Sequence, residues 1–142
     1  MTVEKARIAR LHRLERVRAI ARQSALVEAA HAEGTLAQLA GLAERTRLLA
    51  ADYARRDDSA SAADLAAVLR FAGGMQGITR NASAEADSAR SIADRKAREV
   101  AEAERRRAAV EDRAIRETRA LARKEYAATP SSVARKSSWH GS

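Results

Sequence analysis

The sequence predicts an all-α protein: a long antiparallel coiled-coil hairpin with a short helical tip and a disordered C-terminal tail. Two long stretches repeat apolar residues at alternating steps of three and four, the spacing that keeps one helix face apolar. Only 3% of the 142 residues are aromatic, and alanine supplies much of the apolar fraction, so the bulky side chains of a compact core are missing. Alanine has the highest intrinsic helix propensity, with arginine and glutamate close behind. Glycines and polar residues gather between the two stretches, where a chain reversal is expected.

The first helix is expected over residues 3 to 54, with no proline inside it and Gly34 and Gly41 as weak points. One seam class is Leu11, Arg18, Ala25, Ala32, Leu39, Thr46 and Tyr53. The other is Leu14, Ala21, Glu28, Thr35, Leu42 and Leu49. Ile8, Val17 and Ile20 belong to a row of three-residue steps that winds away from this face.

The pattern breaks at Arg56, Asp57, Asp58 and Ser59, and the tip is placed at about residues 57–77. Ser61 and Asp64 have the spacing of a capping box, with aspartate in place of the usual glutamate. A short helix is expected over residues 62–72, with Leu65, Val68, Leu69 and Ala72 on one face. Gly73 and Gly74 should end it, because glycine readily takes the left-handed conformation of a C-cap.

The second long helix is expected from about residue 78 to about residue 128. Its seam classes are Ala89, Lys96, Ala103, Val110, Glu117 and Ala93, Val100, Arg107, Ala114, Leu121. Pro130 stops it. Residues 1–130 thus read as one hairpin domain. Residues 131–142 are polar and serine-rich and read as a disordered tail, with Trp139 a weak docking candidate. Roughly fifty helical residues span about 75 Å, and helices this polar need a partner. That partner is expected to be the other half of the same chain.

Folding the two seams so that facing residue numbers sum to 135 resolves the charged intrusions together. Arg18 meets Glu117, Glu28 meets Arg107, Leu14 meets Leu121, Ala32 meets Ala103, Leu42 meets Ala93 and Tyr53 meets Ala82. Lys96 opposite Leu39 is the awkward layer. Arg18, Glu117, Glu28 and Arg107 are therefore the expected register-setting residues.

Little in the sequence suggests catalysis. The chain has no cysteine, which excludes disulfides and thiolate metal sites. His12, His31 and His140 show no ligand spacing, so no metal or cofactor is expected. The glycine-rich run from residue 73 to 77 lacks the lysine and hydroxyl residue of a phosphate loop. Asn81, Ala82 and Ser83 match a glycosylation sequon by chance, since no signal peptide is recognisable. No apolar run approaches the roughly 20 residues of a membrane span. The basic first 22 residues have the arginine content of a transit peptide, but the helical pattern continues smoothly past them.

The net charge of +8 points to acidic partners. Arg105, Arg106 and Arg107 lie among acidic residues and read as a solvated helix flank. Arg7, Arg10, Arg13 and Arg16 form a less compensated row near the N-terminus. Phe71 lies off the apolar face of its short helix. It reads either as packed on Met75 and Ile78 or as an exposed anchor.

A long basic helix, a short tip and a long Glu/Arg-rich helix over residues 3–128 resemble the FliJ-type stalk proteins of flagellar and type III export. The resemblance implies a non-catalytic cytoplasmic adaptor, held at the inner membrane through its partners. Those partners would be a hexameric export ATPase, an export-gate component and substrate chaperones. The arginine row at residues 7, 10, 13 and 16 would face the ATPase. The family's gate-binding rows fall on Gln38, Leu42, Arg45 and Leu49, and on Phe71, Met75 and Ile78. Arg45 and Leu49 stand where the family has aromatic residues, and Leu42 and Leu49 are also claimed by the expected seam. The alternatives are a small basic nucleic-acid-associated protein and a dimerising coiled-coil scaffold.

Overall fold

The structure, a computed structural model, describes residues 2–55 and 61–129. Among these the chain forms two helices packed against each other, α1 (Val3–Arg55) and α2 (Ala62–Ala128), and no strand. The break at residues 56–59, Pro130, and the tail with Trp139 and His140 lie outside the described residues.

Each helix end has a local chemical cause. The backbone N–H of Lys5 donates to Thr2 Oγ1 at 3.2 Å, so Thr2 caps α1. The N–H of Asp64 donates to Ser61 Oγ, also at 3.2 Å, as the capping spacing predicts. At the far end of α2 the Thr129 hydroxyl donates back to the carbonyl of Glu125 at 2.8 Å.

The expected short helix is not separate. α2 runs from Ala62 through Gly73, Gly74 and Gly77 without interruption, and no described glycine has a positive φ. A glycine inside a helix costs only about 1 kcal/mol relative to alanine. The helix formers on both sides, from Leu65 to Ala72 and from Met75 onward, outweigh that cost. A C-cap needs a partner for the left-handed turn, and here the helix simply continues.

The buried surface is built from alanine. Ala32, Ala72, Ala82, Ala86, Ala89, Ala93 and Ala114 are buried, joined by Leu11 and the polar Thr46. On α2 both expected seam classes are buried or half-buried, and the same two heptad rows extend back to Ala72 and Met75. On α1 the class from Leu11 to Tyr53 is likewise buried or half-buried.

The second class on α1 requires a correction. Leu14, Ala21, Glu28, Thr35, Leu42 and Leu49 are all exposed. Their place is taken by the row on the other side of the first class: Ile8, Glu15, Arg22, Ala29, Leu36, Ala43 and Ala50, all half-buried. The reason is steric. Facing an alanine surface, Ala29, Ala43 and Ala50 permit close backbone approach, which leucines at 42 and 49 would prevent.

The chain divides into two compact units. Unit 1 comprises Met1–Arg22 and Ala103–Ser142, and unit 2 comprises Gln23–Glu102. In unit 1, Glu4 pairs with Lys124, Lys5 with Glu125, Arg7 with Glu117 and Arg22 with Glu104. Facing residue numbers there sum to between 124 and 130. In unit 2, Glu28 pairs with Lys96 and the Tyr53 ring packs on Phe71, both summing to 124.

The register with sum 135 is therefore wrong. Glu117 binds Arg7 instead of Arg18, Glu28 binds Lys96 instead of Arg107, and Tyr53 meets Phe71 instead of Ala82. Among the described residues the observed register pairs Glu4, Lys5, Arg7, Arg22 and Glu28 across the helices, where the expected one offered two pairs, and it sets Ala32 level with Ala93.

Candidate partner-binding surfaces

The charge of the chain is divided unevenly. Residues 1–22 and 103–142 contain 17 Lys and Arg against 7 Asp and Glu, a net of +10. Residues 23–102 contain 10 against 12, a net of −2, which together account for the total of +8. Unit 1 is a concentrated cation; unit 2 is close to neutral.

Within unit 1 some of this charge is spent internally. The Arg107 guanidinium holds Glu104 through two bonds of 3.0 and 2.8 Å and Glu111 through one of 2.6 Å. These bonds, first to Glu104 and then to Glu111, push the Arg107 pKa up. Glu104 also binds Arg22, and the hydrogen bond from Arg107 leads the causes that lower its pKa.

The N-terminal arginine row is only partly available. Arg7 lies 3.5 Å from Glu117. Arg10, Arg13 and Arg16 are exposed and make no ion pair among the described residues. A three-residue step turns about 60° short of a full turn on a helix of 3.6 residues per turn. Four such residues therefore spiral round half of α1 and do not share one face.

A second basic set lies on α2. Arg113, Arg116, Arg119 and Arg123, with Glu117 and Ala120, line an open depression of about 580 Å³. None of these four arginines makes an ion pair among the described residues. Sequence reasoning passed over them because acidic residues are interspersed. Two of those acids, Glu111 and Glu117, are held by Arg107 and Arg7.

Arg18 has a different environment from the one expected. Its Nε is buried and has no hydrogen-bond partner among the described residues. In the observed register it lies level with Arg107, whose own charge is held by Glu104 and Glu111. A buried donor left unpaired costs about 1–3 kcal/mol. Arg18→Leu is accordingly expected to stabilise the protein by about 1–2 kcal/mol in urea denaturation. A double-mutant cycle between residues 18 and 117 should give no coupling; clear coupling there would overturn the register described above.

The proposed gate rows fall within unit 2. Gln38, Leu42, Arg45 and Leu49 are exposed on α1. Phe71 and Ile78 are exposed on α2, while Met75 is half-buried. The Phe71 ring rests on Tyr53 with centroids 4.4 Å apart and planes inclined by 52°, yet Phe71 stays 49% exposed. Its ring neighbour is thus Tyr53 on α1, where the sequence suggested Met75 and Ile78, and its other side is open.

On the same flank lies a groove of about 500 Å³. Val27, Ala32, Thr35, Ala89 and Ile92 line it, with Glu28, His31 and Lys96 at its edge. Lys96 binds Glu28 at 3.1 Å and Glu99 at 3.3 Å, and these bonds, Glu28 first, push its pKa up. Among the described residues no group of three or more His, Asp or Glu side chains is placed to hold a metal ion. None of the described helices is long and apolar enough to cross a membrane.

No family model matches this chain, and no curated protein or solved structure matches it.

Proposed function

We propose that this chain is a non-catalytic stalk or adaptor of a flagellar or type III protein-export apparatus, built as an antiparallel coiled coil. Unit 1 docks on an acidic surface of a hexameric export ATPase. Unit 2 offers its exposed flank to an export-gate component and to substrate chaperones, and the protein works in the cytoplasm at the inner membrane. The single observation that carries this reading is the division of charge, +10 in unit 1 against −2 in unit 2. A protein that bridges two different partners needs two chemically different surfaces, and steering toward an acidic ring requires unpaired cations. Arg10, Arg13 and Arg16 supply them. The exposed Leu42, Leu49, Phe71 and Ile78 supply an apolar surface of the kind that interfaces use.

The purified protein is expected to raise ATP hydrolysis or hexamer yield of its cognate export ATPase at low salt. Replacing Arg10, Arg13 and Arg16 with Glu should abolish the effect while circular dichroism stays unchanged. A wild-type protein that leaves both turnover and assembly untouched would sink the stalk reading.

A second reading, a nucleic-acid-associated helical protein, draws on the depression lined by Arg113, Arg116, Arg119 and Arg123. Phosphate contacts of four arginines would give a log-linear salt dependence with a slope of about −3.6 on duplex DNA. An affinity for DNA that is flat with salt removes this reading.

A further inference from the structure

The leucines expected in the seam of α1 lie outside it, and they leave unit 2 with an uncovered apolar flank. Leu42 and Leu49 are 41% and 49% exposed, and Ile78 and Ile92 are 51% and 44% exposed. These side chains form two rows with heptad spacing. Thr35, Leu42 and Leu49 follow one another on α1, and Phe71, Ile78, Glu85 and Ile92 on α2. Thr35 and Ile92 line the same groove, so the two rows border the same flank. The pairs Glu28 with Lys96 and Tyr53 with Phe71 set the levels: Thr35 falls between Glu85 and Ile92, and Leu49 between Phe71 and Ile78.

We infer that a second copy of this chain covers that flank, so that unit 2 forms a four-helix bundle with its twin. Three observations choose this occupant. The first is charge. Residues 23–102 carry a net charge of only −2, and Lys96 already holds Glu28 and Glu99, so two copies meet without repulsion.

The second is self-complementarity. A two-fold axis parallel to the helices lays α1 of one copy on α2 of the other at the same level. Every neighbouring pair of helices then runs in opposite directions, the up-down arrangement of simple bundles. Leu49 lies between Phe71 and Ile78 of the second copy. Thr35 lies between Glu85 and Ile92 of the second copy, and that Ile92 side chain enters the groove floored by Ala32 and Ala89.

The third is area. From residue 28 to residue 49 the flank is about 33 Å long at 1.5 Å per residue, and two adjacent helices are about 20 Å wide. The projected area is about 650 Å², and the corrugated surface exceeds its projection. That falls within the roughly 600–1,000 Å² per partner of specific interfaces.

A second copy and the proposed export-gate component compete for Leu42, Leu49, Phe71 and Ile78, and the dimer is tested without an ATPase or a gate protein. In sedimentation equilibrium across the micromolar range, the full chain should show twice its mass of 15.4 kDa. Leu49→Lys together with Ile78→Lys should return it to the mass of one chain. Both positions are about half exposed, so helicity should persist, and circular dichroism checks it. A second measurement needs no charged substitution. The chain has no cysteine, so Thr35→Cys and Ile92→Cys can be introduced in separate chains and the two mixed under mild oxidation. A disulfide joining the two variants is expected, in clear excess over either variant joined to itself. A single-chain mass at every concentration overturns the inference. So does a dimer that survives both lysines, or a cross-link with no preference for the mixed pair.

Discussion

Replacing Gly34, Gly41, Gly73, Gly74 and Gly77 together with alanine is expected to stabilise the protein by about 4 kcal/mol, from roughly 0.8–1 kcal/mol at each position. All five sit inside helices, none has a positive φ, and a Cβ added at any of them meets nothing within 4 Å. The gain comes partly from the unfolded chain, which loses conformational freedom when a side chain replaces hydrogen. Gly34 and Gly41 lie on α1 and the other three on α2, so the two sets should add closely; within the set 73, 74 and 77 some coupling is expected. Denaturant midpoints of the α1 pair, the α2 triple and the combination give the three numbers needed. The triple is the sharper test, because it bears on whether α2 is continuous. If the chain turned at Gly73 and Gly74 with left-handed backbone, alanine there would be strained and the triple would destabilise. A rise in stability of about 2–3 kcal/mol is the result that fits one helix from Ala62 to Ala128.

Those glycines also show where the sequence could and could not be read. Helix identity was legible because alanine, arginine and glutamate all favour it and the heptad steps repeat along both stretches. The N-cap of α2 was legible too, since Ser61 and Asp64 declare themselves by spacing. The end of a helix at a pair of glycines was not, because glycine only permits a left-handed turn and the flanking residues decide whether one forms. On α1 the first seam class was legible while its companion was not. Rows beginning at Ile8 and at Leu14 flank the class beginning at Leu11 equally well, and the row with more leucines was the more conspicuous. What decides between them is the partner surface. The alanines from Ala72 to Ala93 reward small neighbours, a long-range fact that no local pattern contains. The register failed for a related reason. Matching Arg18 with Glu117 and Glu28 with Arg107 treated each charge as needing a partner across the seam. Arg107 instead takes Glu104 and Glu111 from its own helix, three and four residues away. Of the candidate site, the exposure of Leu42 and Leu49 was hidden by the same misreading. The basic character of the N-terminal region was visible at once.

Ala93 is the residue at which the register can be read most directly. It is 1% exposed, the most deeply buried position of α2 named here, and in the observed register it lies level with Ala32, itself 7% exposed. Two small residues at one level bring the backbones close, so there is no room for a longer side chain. Ala93→Leu should therefore destabilise by about 1–3 kcal/mol through overpacking, even though leucine buries more apolar area. Ala32→Gly alone should cost about 1 kcal/mol in helix propensity. In the double variant the smaller residue makes space for part of the leucine, so the combined loss should be less than the sum. With facing numbers summing to 135, Ala93 would oppose Leu42, and shortening Leu42 would provide the relief instead. Leu42 is 41% exposed and lies on the flank away from the seam, so Leu42→Ala should leave the cost of Ala93→Leu unchanged. Urea denaturation of the two double-mutant cycles thus distinguishes the registers by the sign of a difference. Coupling of residue 93 to residue 32 and none to residue 42 is the expected pattern. The reverse pattern would return Leu42 and Leu49 to the seam and leave no apolar flank on unit 2 for a second copy to cover.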